Sequence, residues 1–298
     1  MSITTGDSRQ RITVHTLAER KRAHQPIVSL TAYDYATARL ADEAGVELIL
    51  VGDSLAQVVL GYESTLPVSM EEMLHHCRAV RRAVRHALLV IDMPFGSYHT
   101  GTRAALENAV RGVKEAGAEA VKIEGGRGRV AMIRRIIEAE IPVIGHIGLT
   151  PQSVHRMGGY KVQGKSTGAI DALRRDAAAL DEAGVSAIVL EGIPREVAAR
   201  ITAEVSTPTI GIGAAPECDG QILVFHDLVG MTFTPAAKFV RRYCNAGEQI
   251  STAIRSYVED VRSRAFPADA ECYHLPREVQ SALEAGEAAP AAERKLER

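Results

Sequence analysis

Short runs of β-branched and apolar residues alternate along the chain with longer Ala-rich stretches in which apolar positions recur every three or four residues. The runs at 27–31, 48–51, 87–91, 120–123, 142–145, 187–190, 209–212 and 222–225 predict strands. The stretches at 35–44, 69–84, 103–116, 129–139, 168–183 and 195–205 predict helices between them. This alternation is the mark of a parallel α/β sheet. The strands are apolar throughout, so both faces are buried, as a closed barrel or a doubly wound sheet requires. Residues 12–25 predict an extra helix ahead of the first strand, and 235–264 predict helices after the last. Between the last two strands, 216–221 leaves room for only a short helical turn.

An internal repeat separates the two architectures. EAGVELILVG (43–52), EAGAEAVKIE (115–124) and EAGVSAIVLE (182–191) each end a helix at glycine and enter a strand within a few residues. Gly45, Gly117 and Gly184 are 72 and 67 residues apart, about two βα units each time. That regularity favours a single (β/α)8 TIM barrel with an N-terminal extra helix and C-terminal helices. The expected divisions are an N-terminal arm at 1–11, a barrel domain at 12–276, and a tail at 277–298. The tail, dominated by Ala, Glu and basic residues, reads as a frayed helix or a disordered segment.

Charge narrows the function. With 35 basic against 37 acidic residues in 298, the net charge of −2 argues against a nucleic-acid binder, and an anionic ligand needs local donors. The four cysteines form no C-x-x-C pair, which argues against a disulfide framework or a zinc ribbon and for reduced thiols. The N-terminus lacks an apolar signal core, and no apolar run approaches the roughly 20 residues that cross a bilayer. A cytoplasmic protein is the expectation.

Barrel chemistry sits where strands end. The predicted strands run into Gly52-Asp53-Ser54, Asp92-Met93-Pro94, Lys122-Ile123-Glu124-Gly125, Gly145-His146 and Leu190-Glu191-Gly192. One such acid alone is ordinarily a helix N-cap. Four carboxylates at one end of four strands would repel one another unless a cation lay among them. Oxygen donors without thiolates suit a hard cation, Mg2+ ahead of Mn2+. Lys122 and Glu124 share a strand face, either as a packed pair filling the barrel or as a pair awaiting a substrate carboxylate. Weaker signals are Gly211-x-Gly213 as a phosphate-binding turn, His75-His76 as a solvated helix face, the glycine-arginine stretch at 125–129 as a flexible loop, and 148–168 as a lid or binding loop.

At these residues the chain resembles the ketopantoate hydroxymethyltransferase family. The resemblance spans about 13–276 and is carried by LTAYDYATA (30–38), VGDSLAQVVLGYESTLPV (51–68), VKIEGG (121–126), GHIGLTPQSVHRMGGYKVQGK (145–165) and IGIGAAPECDGQILVFHD (210–227). The stretches at 213–218 and 230–235 depart from the family's wording. The resemblance implies transfer of a hydroxymethyl unit from 5,10-methylenetetrahydrofolate to 3-methyl-2-oxobutanoate, giving 2-dehydropantoate for pantothenate synthesis. It implies one Mg2+ held by Asp53 and Asp92 and completed by Glu124, directly or through a coordinated water. Asp53, Ser54, Asp92, Lys122 and His146 would contact the oxo acid, and Glu191 would be the base that takes the C3 proton. The flanking Val189-Leu190 and Gly192-Ile193 predict the dry setting such a base needs. The resemblance also implies a homo-oligomer, commonly a decamer. The alternatives are another metal-dependent 2-oxo-acid C–C lyase or mutase on the same barrel, which needs no folate, and a non-catalytic oxo-acid-binding barrel.

Overall fold

A computed structural model describes residues 9–286 and divides the chain into two compact units, one ending at Asn245 and one beginning at Ala246. In the first, α1 (Val14–Arg22) precedes β1 (Ile27–Thr31), α2 (Tyr35–Glu43) and β2 (Leu48–Val51). A short α3 (Leu55–Val58) and α4 (Met70–Arg81) lead to β3 (Leu88–Asp92), α5 (Thr102–Ala116), β4 (Ala120–Glu124) and α6 (Val130–Glu138). There follow β5 (Val143–Gly148), a short α7 (Val154–Met157), α8 (Thr167–Ala183), β6 (Ala187–Glu191) and α9 (Arg195–Glu204). The unit closes with β7 (Thr209–Ile212), β8 (Gly220–Leu223) and α10 (Phe225–Val229). Each strand pairs in parallel with the next, and β8 pairs with β1, so the sheet is a closed eight-stranded barrel. The expected TIM barrel is observed.

Strand periodicity explains both the core and the site. Inward positions alternate with outward ones. Leu48, Leu50, Leu88, Val90, Ala120, Ile144, Ala187 and Val189 pack together inside the barrel. Their neighbours Ile49, Leu89, Ile91, Val121, Ile123, Ile188 and Leu190 face the helices. Leu17 of α1, fully buried, joins the interior cluster and makes the N-terminal helix part of the barrel's filling. Advancing the same period by one step turns the interior from apolar to charged. Val90 is followed by Asp92, Ala120 by Lys122 and Glu124, Ile144 by His146, and Val189 by Glu191.

The three Glu-Ala-Gly repeats behave as expected: Gly45, Gly117 and Gly184 take φ of +90°, +71° and +84°, the left-handed conformation that ends the preceding helix. The eighth strand lies earlier than expected, at Gly220–Leu223 rather than 222–225, and 216–219 forms no helix. Gly220 is the reason, because a Cβ there would stand 2.4 Å from the Ile27 carbonyl oxygen, and its absence lets β8 close onto β1. Phe225 belongs instead to α10. Of the expected helices at 235–264, only Ala246–Ser263 forms, and 235–245 is irregular. Pro235 has no amide to give a helix.

The second unit holds that helix, α11 (Ala246–Ser263), and α12 (Arg277–Glu284), with Tyr257 and Phe266 in edge contact at 5.6 Å between ring centroids. Residues 1–8 of the expected arm and 287–298 of the expected tail lie outside the described residues. Among the described residues no helix is long and apolar enough to cross a membrane.

Candidate active site

The C-terminal rim of β2 to β6 gathers the polar side chains that the sequence singles out. Lys122 is at their centre, its Nζ 2.9 Å from Asp92 Oδ2, 3.1 Å from His146 Nδ1 and 3.9 Å from Glu124 Oε1. The register makes these contacts, since Asp92 partners Lys122 and Glu124 partners His146 across adjacent strands. Next in the arc, Gly148 partners Glu191, and His146 Nε2 lies 3.2 Å from Glu191 Oε2. Asp53 sits just beyond β2 and donates its main-chain N–H to Asp92 Oδ2 over 3.2 Å. The hydroxyls of Ser54 and Tyr33 lie 2.7 Å apart. Asp53, Asp92, Lys122, Glu124 and His146 are all buried.

Enclosing these groups sets their charges against one another. Burial raises the Asp53 carboxyl well above the usual range, and repulsion from Asp92 and Glu124 adds to it. Asp92 is raised by burial too, although Lys122 opposes the rise. Burial works against the charge on Lys122, but Asp92, Glu124 and Asp53 outweigh it and hold the ammonium protonated. Glu124 moves down despite its burial, because His146, Lys122 and a backbone N–H stabilise its anion. Burial and Lys122 both disfavour an imidazolium at His146, yet Glu124 and Glu191 pull its pKa up to about 9. The contact with Lys122 Nζ bears on the neutral ring: Nδ1 accepts from the ammonium only when bare, which leaves the ring proton on Nε2 facing Glu191.

Three carboxylate oxygens accept no hydrogen bond among the described residues, although Glu124 Oε1 also lies 3.5 Å from His146 Nδ1 and 3.9 Å from Lys122 Nζ. Asp92 Oδ1 and Glu124 Oε1 are buried without a hydrogen-bond partner, and Asp53 Oδ1 takes no donor among the described residues. Among the described residues no group of three or more His, Cys, Asp or Glu converges closely enough to hold a metal ion on its own, so any ion here would need water or substrate oxygens beside the acids. Hard oxygens offered singly from two or three acids suit an ion that keeps water and substrate oxygens in its sphere, as Mg2+ does. The residues present fit such an ion.

Comparison with known proteins decides the family. The profile described as ketopantoate hydroxymethyltransferase matches residues 11–269. The chain belongs to this family, and it is an enzyme of the hydroxymethyltransferase class. It is 66% identical over 284 residues to the 3-methyl-2-oxobutanoate hydroxymethyltransferase of Koribacter versatilis, covering 95% of this chain and 96% of that protein. The enzyme of the same name from Syntrophomonas wolfei is 52% identical, over 92% of this chain and 99% of that one. Among solved structures, a phosphonopyruvate hydrolase complex with oxalate and Mg2+ superposes with a TM-score of 0.56 at 15% identity, covering 92% and 96% of the two chains. A 2,3-dimethylmalate lyase superposes with a TM-score of 0.55 at 16% identity, over 92% and 95%. These two likenesses speak for the barrel fold alone.

Within this family frame, three residues of the site have no role expected from the sequence, although Tyr33 and Gln152 lie within the strings that carry the resemblance. Gln152, on the 3-10 turn Pro151–Ser153 that follows β5, donates from Nε2 to Asp53 Oδ2 and to the Met93 carbonyl, both over 3.0 Å. Tyr98 donates its hydroxyl to Gln152 Oε1 over 2.7 Å. Tyr33 is fully buried beside Ser54, and its carbonyl oxygen is 2.6 Å from His76 Nδ1. His76 is therefore tied inward rather than placed on a solvated face.

Other expectations need correction. Glu191 is mostly enclosed but less so than its partner: its side chain is 16% exposed, against 3% for His146, while Val189, Leu190, Gly192 and Ile193 around it are buried. The segment 148–168 is not structureless, since it contains the 3-10 turn and α7. No helix begins directly after Gly213, which packs against Phe239 and offers no helix N-terminus to a phosphate. Arg127, within the glycine-arginine stretch, is held by Asp176 at 2.9 Å.

Proposed function

We propose that the enzyme transfers a hydroxymethyl unit from 5,10-methylenetetrahydrofolate to 3-methyl-2-oxobutanoate, giving 2-dehydropantoate for pantothenate biosynthesis, with one Mg2+ per subunit. Family membership supplies the reaction class, and the observation that carries the chemistry is the unpartnered Asp92 Oδ1 beside Asp53 and Glu124. Asp53 and Asp92 would hold the ion, with Glu124 reaching it directly or through water. Bound there, Mg2+ supplies Lewis-acid polarisation of the oxo-acid carbonyl.

The protein's own groups do the rest. Lys122 presents a fixed ammonium at the rim, where it meets the negative charge of the oxo acid and of the enolate derived from it. Ser54, with its hydroxyl against Tyr33, and His146 position the oxo acid. Glu191 accepts the C3 proton, and it is the one acid of the four whose side chain is not fully buried. The resulting carbanion forms a C–C bond to the methylene carbon, both C–N bonds from that carbon to the folate break, and one water supplies the hydroxyl; the C3 proton and the remaining water proton leave on the two nitrogens of tetrahydrofolate. The four cysteines are free, which fits a reducing cytoplasm. Like the reaction details, assembly as a homo-oligomer is part of the proposal.

The test is product formation from 3-methyl-2-oxobutanoate with each component withheld in turn. Loss of 2-dehydropantoate on omission of either the folate or Mg2+ supports the reading. Turnover without the folate would instead place the enzyme among the lyases and mutases of this barrel.

A further inference from the structure

We propose that Gln152, held in place by Tyr98, sets the cation preference of the site by keeping Asp53 a one-oxygen ligand; the inference rests on the Mg2+ reading above. Gln152 is buried, and every polar atom of its side chain is used. Its two amide hydrogens go to Asp53 Oδ2 and the Met93 carbonyl oxygen, each over 3.0 Å, and its Oε1 accepts from the Tyr98 hydroxyl over 2.7 Å. The Met93 carbonyl can only accept, so the amide has one orientation and the tyrosine must be the donor. Tyr98 is itself buried, with the Arg129 guanidinium 5.1 Å above its ring. The main-chain N–H of Gln152 meanwhile donates to Glu124 Oε2 over 3.1 Å.

The consequence is a pattern shared by three acids. One oxygen of each is held by a nitrogen donor: Asp53 Oδ2 by Gln152, Glu124 Oε2 by the Gln152 main chain, and Asp92 Oδ2 by Lys122 and the Asp53 N–H. The other oxygen of each is left without a hydrogen bond among the described residues. A donor on one oxygen fixes the orientation of the carboxylate and weakens that oxygen as a ligand, so the acid is restrained from turning both oxygens onto one cation. Mg2+ takes single oxygens in a strict octahedron, whereas the larger Ca2+ readily takes both oxygens of an acid and more ligands. Gln152 thus acts on the ion through Asp53, as a positioning residue that disfavours the larger cation.

The experiment is calorimetric titration of the full-length protein with Mg2+ and, separately, with Ca2+, in the presence of 3-methyl-2-oxobutanoate. Gln152→Met keeps the side-chain length and removes the donor. It is expected to lower the ratio of Mg2+ to Ca2+ affinity about tenfold, by the usual size of effects from groups that orient metal ligands. Tyr98→Phe leaves Gln152 Oε1 without its donor, which loosens the amide while its two acceptors keep its orientation, and is expected to shift the ratio in the same direction by less. Thermal unfolding of the cation-free variants establishes that they are folded. A folded Gln152→Met protein with the wild-type ratio, or one that loses both cations in equal proportion, overturns the proposal. Should that variant fail to fold, an unchanged ratio in Tyr98→Phe overturns it. A wild-type protein that binds no Mg2+ would contradict the metal reading itself, a separate failure.

Discussion

Lys122 Nζ lies 2.9 Å from Asp92 Oδ2, across partnered positions of β3 and β4, with both side chains almost wholly enclosed. Removing one member of a buried pair leaves the other charge uncompensated. In Lys122→Met, Asp53, Asp92 and Glu124 face one another without the ammonium. The cation-free protein is expected to lose about 3–5 kcal/mol of stability in urea unfolding, with part of it recovered by saturating Mg2+. A variant as stable as the wild type would show that the pair is not a net support of the barrel.

Asp53 carries the opposite balance. Its carboxyl is raised by burial and by the neighbouring acids, so ionising it without a cation costs the fold. Asp53→Asn is expected to leave cation-free thermal stability unchanged or higher. The same variant should weaken Mg2+-dependent binding of the oxo acid by about tenfold or more, and Asp92→Asn should do likewise. Titration calorimetry paired with thermal unfolding checks both halves.

The same raised carboxyls predict a pH dependence of metal binding. A ligand oxygen must be free of its proton, so the ion competes with protons held by Asp53 and Asp92 in the cation-free enzyme. Mg2+ affinity is expected to fall as pH falls, approaching about tenfold per unit once the pH is below the higher of the two values. Affinity that is flat across the acid range in which the protein stays folded would contradict the raised carboxyl.

Gly148 holds Glu191 from the next strand. Its φ is +99°, and a Cβ there would stand 2.2 Å from the Glu191 carbonyl oxygen. Leu149, the following residue, donates its N–H to that same oxygen over 2.8 Å. In Gly148→Ala the backbone of β5 and β6 must part, moving the proposed base. The expected outcome is a fall in kcat of up to about 100-fold with a smaller change in KM, measured by steady-state kinetics.

Much of this architecture is legible in the sequence because the strand period carries it. The step from Val90 to Asp92, or from Val189 to Glu191, is two residues on one face, so a reader of the pattern can place both acids on one rim. The repeats around Gly45, Gly117 and Gly184 mark helix ends for an equally local reason. Gln152 escapes such reading, because its role depends on Asp53, Met93 and Tyr98 arriving from the segments that follow β2 and β3, and a glutamine after a proline has no local signature. The start of β8 is hidden similarly: Gly220 is a poor strand former on its own and is explained only by the approach of Ile27.

The central claim, that this rim makes a carbon nucleophile from an oxo acid with Glu191 as the base, is tested most directly by deuterium exchange at C3 of 3-methyl-2-oxobutanoate in D2O, followed by NMR with Mg2+ present and the folate absent. The wild type should exchange the C3 hydrogen, while Glu191→Gln should bind the oxo acid with similar affinity and exchange it at least about 100-fold more slowly. Exchange at the wild-type rate in that variant would contradict the account.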